Sequence, residues 1–391
     1  MITVDEALSR VLALAAPLEA EEIALTDALD RVLAEPVRAR LTQPPFNAAA
    51  MDGYALRRAD LDQPLRVIGE AAAGRPWQGT PDAGTAIRIF TGAPVPEGYD
   101  HVAMQEDVSR DGDTIRVAAP QNRDNIRPQG SDFHVGSEIF PRRPLTPRDL
   151  GTIAAMNVAR VKVHRRPRVA VLAGGDELVT PGTEPGPGQI ICSNDIAVAA
   201  IARRAGAEAT CLPIARDTLD SLRARFADAA SADLIVTIGG ASVGDHDLIG
   251  AATAELGMER AFYKVAMRPG KPLIAGKIGG KAMIGLPGNP VSSFVCAELF
   301  IAPLLRRMQG LPDESREEYG ILGHDIGPEG DRQHYLRAQL SHEDGQTVVT
   351  PFDNQDSARL RLLSDADALM IRPAGDSARK SGEKVRFLRL R

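Results

Sequence analysis

Cysteine is scarce in this chain: three residues in 391, at Cys192, Cys211 and Cys296, with no C-x-x-C pair. A scattered odd set excludes a disulfide framework and a thiolate zinc site, and it suits a reducing cytoplasm. Aromatic residues make up 4% of the chain, with one tryptophan, too few for a base-stacking platform. Neither sign of charge prevails, since 46 basic residues face 52 acidic ones and the net charge is −6. A binder driven by phosphate neutralisation is thereby excluded, and no nucleic-acid partner is expected. Long apolar runs are missing too. The longest, around "SSFVCAELFIAPLL", is broken by Glu298 and Pro303, so no membrane span is expected. The start, "MITVDEALSRVLAL", has acids and no basic n-region, so it does not read as a signal peptide. G-x-x-x-x-G-K-[ST] and H-E-x-x-H are absent, and "GPGQII" (Gly186 to Ile191) fails G-x-G-x-x-G.

What is present is length enough for two to four domains, with 43% hydrophobic residues. Thr3-Val4-Asp5-Glu6 is a capping box, followed by Val4, Ala7, Val11 and Leu14 at helical spacing. A second helix is expected from Thr26 to Ala34, stopped by Pro36. From Leu41 to about Gly136, prolines, glycines and short β-branched runs predict a mostly β module. "LTPRDLGTIAAMNVARVKVHRRP" reads as a capped helix, a strand and a basic hinge. From Arg168 the pattern alternates. "RVAVLAGG", "TCLPIARD", "DLIVTIGG", "PLIAGKI" and "AMIGLPG" are strands; helices lie between the first four, and "PVSSFVCAELFIAPLLRRMQG" closes the unit as one long helix. Such alternation predicts a parallel sheet covered by helices. After Leu311-Pro312, short strands such as "HYLRAQL", "QTVVTPF", "ALMIRP" and "EKVRFLRL" predict a small barrel or sandwich.

Ligands of open parallel sheets sit beyond the carboxyl ends of the strands. Those positions here carry Asp176 and Glu177, then Asp217, then Gly239, Gly240, Ser242, Gly244, Asp245 and Asp247, then Pro287-Gly288-Asn289-Pro290 before a helix start. Glycine amides and helix N-termini attract oxyanions, and carboxylates alone would repel them. Mg²⁺ reconciles the two, because hard oxygens hold the cation and the cation bridges to phosphate. Simple helix capping by Asp217 and Asp245 is the competing explanation. Gly240-Ala241-Ser242-Val243-Gly244 also fits the G-x-S-x-G nucleophile elbow. An elbow serine needs a later histidine, and His324, His334 and His342 all fall in the β tail. In "FYKVAMRPGKPLIAG", Lys264, Arg268 and Lys271 read either as surface charge or as an anion clamp. In "QPPFNAAAMDGYALR", Asp52-Gly53 reads as a β-turn.

Taken in order, "PPFNAAAMDGYALR", "RIFTGAPVP", "GSDF", "GGDELVTPG", "GGASVGDHDL", "VAMRPGKP" and "LPGNPVSS" resemble the molybdopterin molybdenumtransferase family, the bacterial MoeA group that includes the gephyrin E domain. The resemblance spans nearly the whole chain. It implies a multidomain α/β plus β fold. Residues 1–44 and 137–167 would form an elongated N-terminal helical and strand region, and 45–136 an inserted mostly-β module. Residues 168–311 would form a three-layer α/β molybdopterin-binding domain with a parallel-type sheet, and 312–391 a C-terminal β-barrel. It further implies a Mg²⁺-dependent transferase that joins molybdate to adenylylated molybdopterin and releases AMP. The implied protein is a homodimer whose active sites are shared between subunits. Molybdopterin adenylyltransferase and maturation proteins of downstream molybdoenzymes are its implied partners.

The resemblance assigns catalytic roles to Asp52, Glu177, Asp217, Asp247, Lys264 and Arg268, with the four acids handling metal. It places Thr91, Asp132, Gly239, Gly240, Ser242, Gly244, Lys271, Pro287, Gly288, Asn289 and Pro290 at the pterin and oxyanion. Two departures stand out. Asn47, Ala48 and Ala49 occupy positions where the family often has Asp-Asn-Ser, and Arg268 stands where lysine is frequent. A molybdopterin adenylyltransferase-like enzyme and a non-catalytic pterin-binding scaffold are the alternatives, with the serine hydrolase behind them.

Overall fold

Residues 1–118, 122–239 and 248–390 are described by the structure, a computed structural model. The chain forms two units: one of Glu22–Leu29 and Glu35–Val163, the other of Met1–Glu21, Asp30–Ala34 and His164–Arg391. No helix among the described residues is long and apolar enough to cross a membrane.

The smaller unit is built on a six-stranded sheet. Its order is His101–Met104, Gly53–Leu56, Thr85–Ile89, Leu65–Ala71, Thr114–Val117, Val108–Asp111. Alternation along these strands feeds two apolar clusters. Ala55, Ile87, Ile89 and Val102 pack on one, and Tyr54, Leu56, Leu65 and Ile115 on the other. The helix Pro147–Ala155 follows a capping box in which Thr146 and Asp149 bond reciprocally, and Arg143 grips the Asp149 carboxylate at 2.6 and 3.0 Å.

The larger unit begins with the helix Val4–Leu12. Thr3 Oγ1 accepts from Glu6 N–H at 3.2 Å, while the Glu6 carboxylate turns to Arg10 at 2.6 Å. Val4, Ala7, Val11 and Leu14 are buried, as their spacing predicts. The central sheet runs Glu208–Cys211, Arg168–Ala173, Leu234–Ile238, Lys281–Leu286, Ile274–Ile278, Glu259–Tyr263. Helices Val4–Leu12, Asn194–Arg204 and the 290–308 segment contribute to the cluster on one face. Helices Leu219–Asp228 and Leu248–Glu255 contribute to the cluster on the other, which gives three layers. The first four strands are parallel, and the last two pair antiparallel. The expected parallel-type sheet thus carries an antiparallel edge, because "PLIAGKI" and "AMIGLPG" are joined by the tight Gly279-Gly280 turn, which leaves no room for a crossover helix. In the tail, Gln333–Glu343 pairs with both Gln346–Pro351 and Ala368–Arg372, which closes a five-stranded barrel. Met267–Arg268 adds to it as a parallel sixth strand against Gln333-His334.

Two further expectations are corrected, and the long closing helix is found with one irregularity. Thr26–Ala34 is not a helix: a 3₁₀ turn covers Leu25–Asp27, and Asp30 sits at φ 60°, in the left-handed region that ends any right-handed helix. The strand expected at "TCLPIARD" is Glu208–Cys211, because Pro213 has no N–H to continue the ladder. The closing helix runs as Pro290–Cys296, a π segment Ala297–Ile301 and Ala302–Met308. Pro303 cannot donate to the Leu299 carbonyl, and the widened turn absorbs that missing bond.

Candidate active site

In the smaller unit the motif around Asp52 is shaped by a close approach. Gly53 is the first residue of its strand, so the expected Asp-Gly turn is a bend that runs straight into the ladder. A Cβ on Gly53 would collide with the Ala103 carbonyl of the neighbouring strand, which only glycine permits. Register pairs Gly53 with Ile89, and this carries Asp52 to Thr91 just past the strand end. Asp52 Oδ1 accepts from both the Thr91 N–H and the Thr91 hydroxyl, each at 2.8 Å. These bonds, the N–H first, hold the Asp52 carboxyl below its usual range. Both fall on Oδ1. Arg88 lies 4.8 Å from the Phe90 ring centre and donates to the Gly53 carbonyl at 3.1 Å, backing the same corner. Asp132 is exposed, and its N–H donates to the Gln43 carbonyl at 3.1 Å. No hydrogen bond among the described residues joins it to the Asp52–Thr91 pair. At the departure 47–49, Asn47 Oδ1 accepts from Gln129 N–H at 2.9 Å, while Ala48 and Ala49 are buried in a strand pair with Ile126-Arg127.

In the larger unit, the carboxyl ends of the sheet bring two acidic loops together. Gly174 bridges to Ala215, which sets Asp176 beside Asp217. The Asp176 N–H donates to Asp217 Oδ2 and the Asp217 N–H to Asp176 Oδ1, each at 3.3 Å. The Glu177 carboxylate is folded back over Gly175, whose φ of 148° is one that L side chains rarely adopt. Asp176, Glu177 and Asp217 are all exposed. Among the described residues no three His, Cys, Asp or Glu side chains form a metal cage. Gly240, Ser242, Gly244 and Asp247 lie outside the described residues.

Gly239 ends its strand at φ 89° and abuts Gly288, so two glycine backbones line this end of the sheet. The Pro287-Gly288-Asn289-Pro290 loop is held from three sides. Asn194 Nδ2 donates to the Gly288 carbonyl at 2.7 Å, and Ser293 Oγ donates to the Pro287 carbonyl. From the barrel, Ser357 accepts Asn289 Nδ2 on its hydroxyl at 3.3 Å and the Val291 N–H on its carbonyl at 3.2 Å. Buried Arg337 braces that barrel loop through the carbonyls of Asn354, Asp356 and Arg359 at 3.0–3.3 Å. Gly288 and Asn289 remain exposed, Pro290 half-buried, and Pro287 is buried.

The basic residues have distinct settings. Lys264 has φ 70°, its N–H donates to the Leu273 carbonyl at 3.0 Å, and its Nζ lies 4.9 Å from the Tyr263 ring centre. Arg268 is exposed on the short strand docked to the barrel, opposite buried His334. His334 bonds Glu329 at 2.9 Å, and burial pushes its pKa down. The Lys271 side chain is exposed, and its carbonyl accepts the Val265 and Leu273 N–H groups at 3.1 Å each.

Two residues gain roles here that sequence reasoning does not give them, and a third, Asp176, gains its partner. Asp176 is adjacent to Glu177 in "GGDELVTPG", but only the Gly174–Ala215 bridge shows that it is the partner of Asp217. Asn194 reads as a helix cap, yet its side chain reaches across to Gly288. Ser357 in "QDSARL" follows no pattern that spacing could reveal. Together the larger unit offers exposed backbone donors, hard carboxylate oxygens and cationic side chains, the components of phosphoanhydride and oxyanion chemistry.

Comparison with known proteins is consistent along the chain. Family models match in three consecutive blocks: "MoeA N-terminal region (domain I and II)" over residues 2–157, "Probable molybdopterin binding domain" over 170–307, and "MoeA C-terminal region (domain IV)" over 319–390. A molybdopterin molybdenumtransferase of Nostoc sp. is 34% identical over 95% of this chain and 89% of its own. One of Haemophilus influenzae is 38% identical over 79% and 78%, and one of Bacillus subtilis 34% identical over 100% and 94%. The crystal structure of a molybdopterin biosynthesis MoeA protein from Pyrococcus horikosii superposes with a TM-score of 0.87 at 30% identity, covering 100% of this chain and 99% of that one.

Proposed function

Because this chain belongs to the molybdopterin molybdenumtransferase family, we propose that it inserts molybdenum from molybdate into adenylylated molybdopterin and releases AMP. The observation that carries this reading is the meeting of Asp176 and Asp217 at the same sheet end as the braced Pro287–Pro290 loop. One side suits a cation and the other an oxyanion, which is what a pyrophosphate-cleaving site needs.

Mg²⁺ fits the donor set, since such sites use one or two carboxylates and complete the shell with water and phosphate. Asp217 and Asp176 would hold it, with Glu177 beside them and Asp247 as the family resemblance implies, and bound there it would supply charge neutralisation to the pyrophosphate. The amides of exposed Gly288 and Asn289 bind the anionic substrate; the Asn194 bond to the Gly288 carbonyl fixes the peptide that carries the Asn289 N–H, and the Ser293 bond to the Pro287 carbonyl fixes the one that carries the Gly288 N–H. Lys264 and Arg268 offset negative charge on molybdate or on the departing phosphate. Arg268 presents a planar fork where a lysine would present a point charge, and it keeps the positive sign. Lys271, Asp132 and the glycine-serine loop of Gly240, Ser242 and Gly244 belong to substrate binding in this reading.

Asp52 enters from a second copy in the proposed homodimer. Its Oδ1 is fixed by Thr91, which leaves Oδ2 to face substrate or cation. The setting is cytoplasmic. An adenylyltransferase supplies the substrate, and molybdoenzyme maturation consumes the product.

The test is AMP release by the purified full-length protein, with and without molybdate. Asp52→Asn and Asp217→Asn are expected to keep their fold and oligomeric state and to lose AMP release. Full AMP release in either variant, or release that ignores molybdate, would overturn the assignment. Consumption of ATP with molybdopterin would favour the adenylyltransferase instead.

A further inference from the structure

The Lys264 backbone is pinned on both sides. Its N–H is bonded to the Leu273 carbonyl at 3.0 Å, and its carbonyl accepts the Ile2 N–H at 3.4 Å. Tyr263 before it is in ladder register with Ile274, and Val265 after it bonds the Lys271 carbonyl at 3.1 Å. The main chain cannot swing. It is also held at φ 70°, a conformation glycine or asparagine would adopt at less cost. A lysine kept in such a position points to use of its side chain. That side chain is a flexible four-carbon stem, and no salt bridge among the described residues fixes its ammonium.

We propose that Tyr263 is a positioning residue: its ring is a shelf that orders the Lys264 ammonium at the sheet end, ready for an incoming oxyanion. The ammonium lies 4.9 Å from the ring centre, inside the range in which the electron-rich face attracts a cation. Arg260 reaches the same ring only at 6.0 Å, the outer limit of that range, so Lys264 is the better-placed cation. Half-buried Tyr263 is itself fixed by the strand Glu259–Tyr263, so the shelf is rigid where the lysine stem is not. This role rests on the reading of Lys264 as an oxyanion contact.

Two readouts test it. The chain has seven lysines, so ¹³C reductive methylation gives a sparse NMR spectrum in which Lys264→Arg identifies the Lys264 signal. Ring current is expected to displace that signal upfield in the native protein and in Tyr263→Phe, and the displacement is lost in Tyr263→Leu. Lys384, whose Nζ lies 4.0 Å from the Tyr319 ring centre, is the internal control and stays put in every Tyr263 variant. In the AMP-release assay Tyr263→Leu raises the KM for molybdate about two- to fivefold with a smaller change in kcat, and Tyr263→Phe restores it. An undisplaced Lys264 signal in the native protein, or one that Tyr263→Leu leaves unmoved, overturns the shelf whatever the kinetics. A signal released in Tyr263→Leu, together with unchanged kinetics in Lys264→Gln, keeps the shelf and overturns the oxyanion contact. Should the leucine variant fail to fold, Tyr263→Phe still decides: a lost displacement there refutes the proposal.

Discussion

Replacing Gly53 by alanine should damage the smaller unit far more than one methyl group suggests. The new Cβ would fall on the carbonyl carbon and oxygen of Ala103. Both atoms are backbone in the adjacent strand, so no side chain can step aside. The strands Gly53–Leu56 and His101–Met104 must part at that end. Overpacking of this kind costs about 1–3 kcal/mol, and one lost ladder bond adds about 1 kcal/mol. A total near 2–4 kcal/mol lowers the melting temperature of a unit this size by roughly 5–15 °C. Hydrogen exchange read by mass spectrometry should show the loss in those two strands, with Val108–Asp111 and Thr114–Val117 protected as before. Asp52 is displaced from Thr91 in the same movement, so molybdate-dependent AMP release should fall even where the variant stays folded. A melting temperature within a degree of the native value would refute the steric reasoning.

Gly151 supplies the contrast. It lies exposed in the helix Pro147–Ala155, with open space where a Cβ would stand, so Gly151→Ala should raise stability by about 0.5–1 kcal/mol, measured by urea denaturation. Asp149 sets an acid limit. Its bonds to Arg143 first, and then to Thr146, hold its carboxyl well below the usual carboxylate range. A depressed folded-state pKa stabilises above the unfolded value of about 3.9 and loses that effect as pH falls through the folded value. The stability gap between native protein and Asp149→Asn should therefore be full at neutral pH and shrink as pH drops below about 4. Cys192 is pushed up to about 12, by burial first and then by the Asp195 carboxylate. At pH 8 it should resist iodoacetamide until the protein is denatured, and rapid labelling of the folded protein would contradict its burial.

Local chemistry was the most legible part of this protein. Thr3, Thr146 and Thr218 announce their helices because a cap is decided within three residues. The proline and glycine breaks were legible for the same reason. Thr26–Ala34 misled because its apolar spacing suits a helix, while the left-handed Asp30 and the extended, buried Val32 and Leu33, the latter in a β-bridge, decide otherwise. In the candidate site, Pro287–Pro290 and Asp217 were identifiable as strand-end residues and Lys264 as one of three clustered cations, while the strand Glu259–Tyr263 that ends at Lys264 was not foreseen. Asn194 and Ser357 were not, because each acts on that loop across 94 and 68 positions of chain.

The order of residues by itself determined the chain's class: where strands end, which loops carry acids, glycines and cations, and which family those loops resemble. Tertiary structure decided pairings. It chose Asp176 as the companion of Asp217, Thr91 as the anchor of Asp52, and a barrel loop as the brace of Asn289. The physical reason is range. Caps and breaks arise from torsions and bonds a few residues apart, whereas contacts across a sheet end depend on register and packing that no single segment specifies.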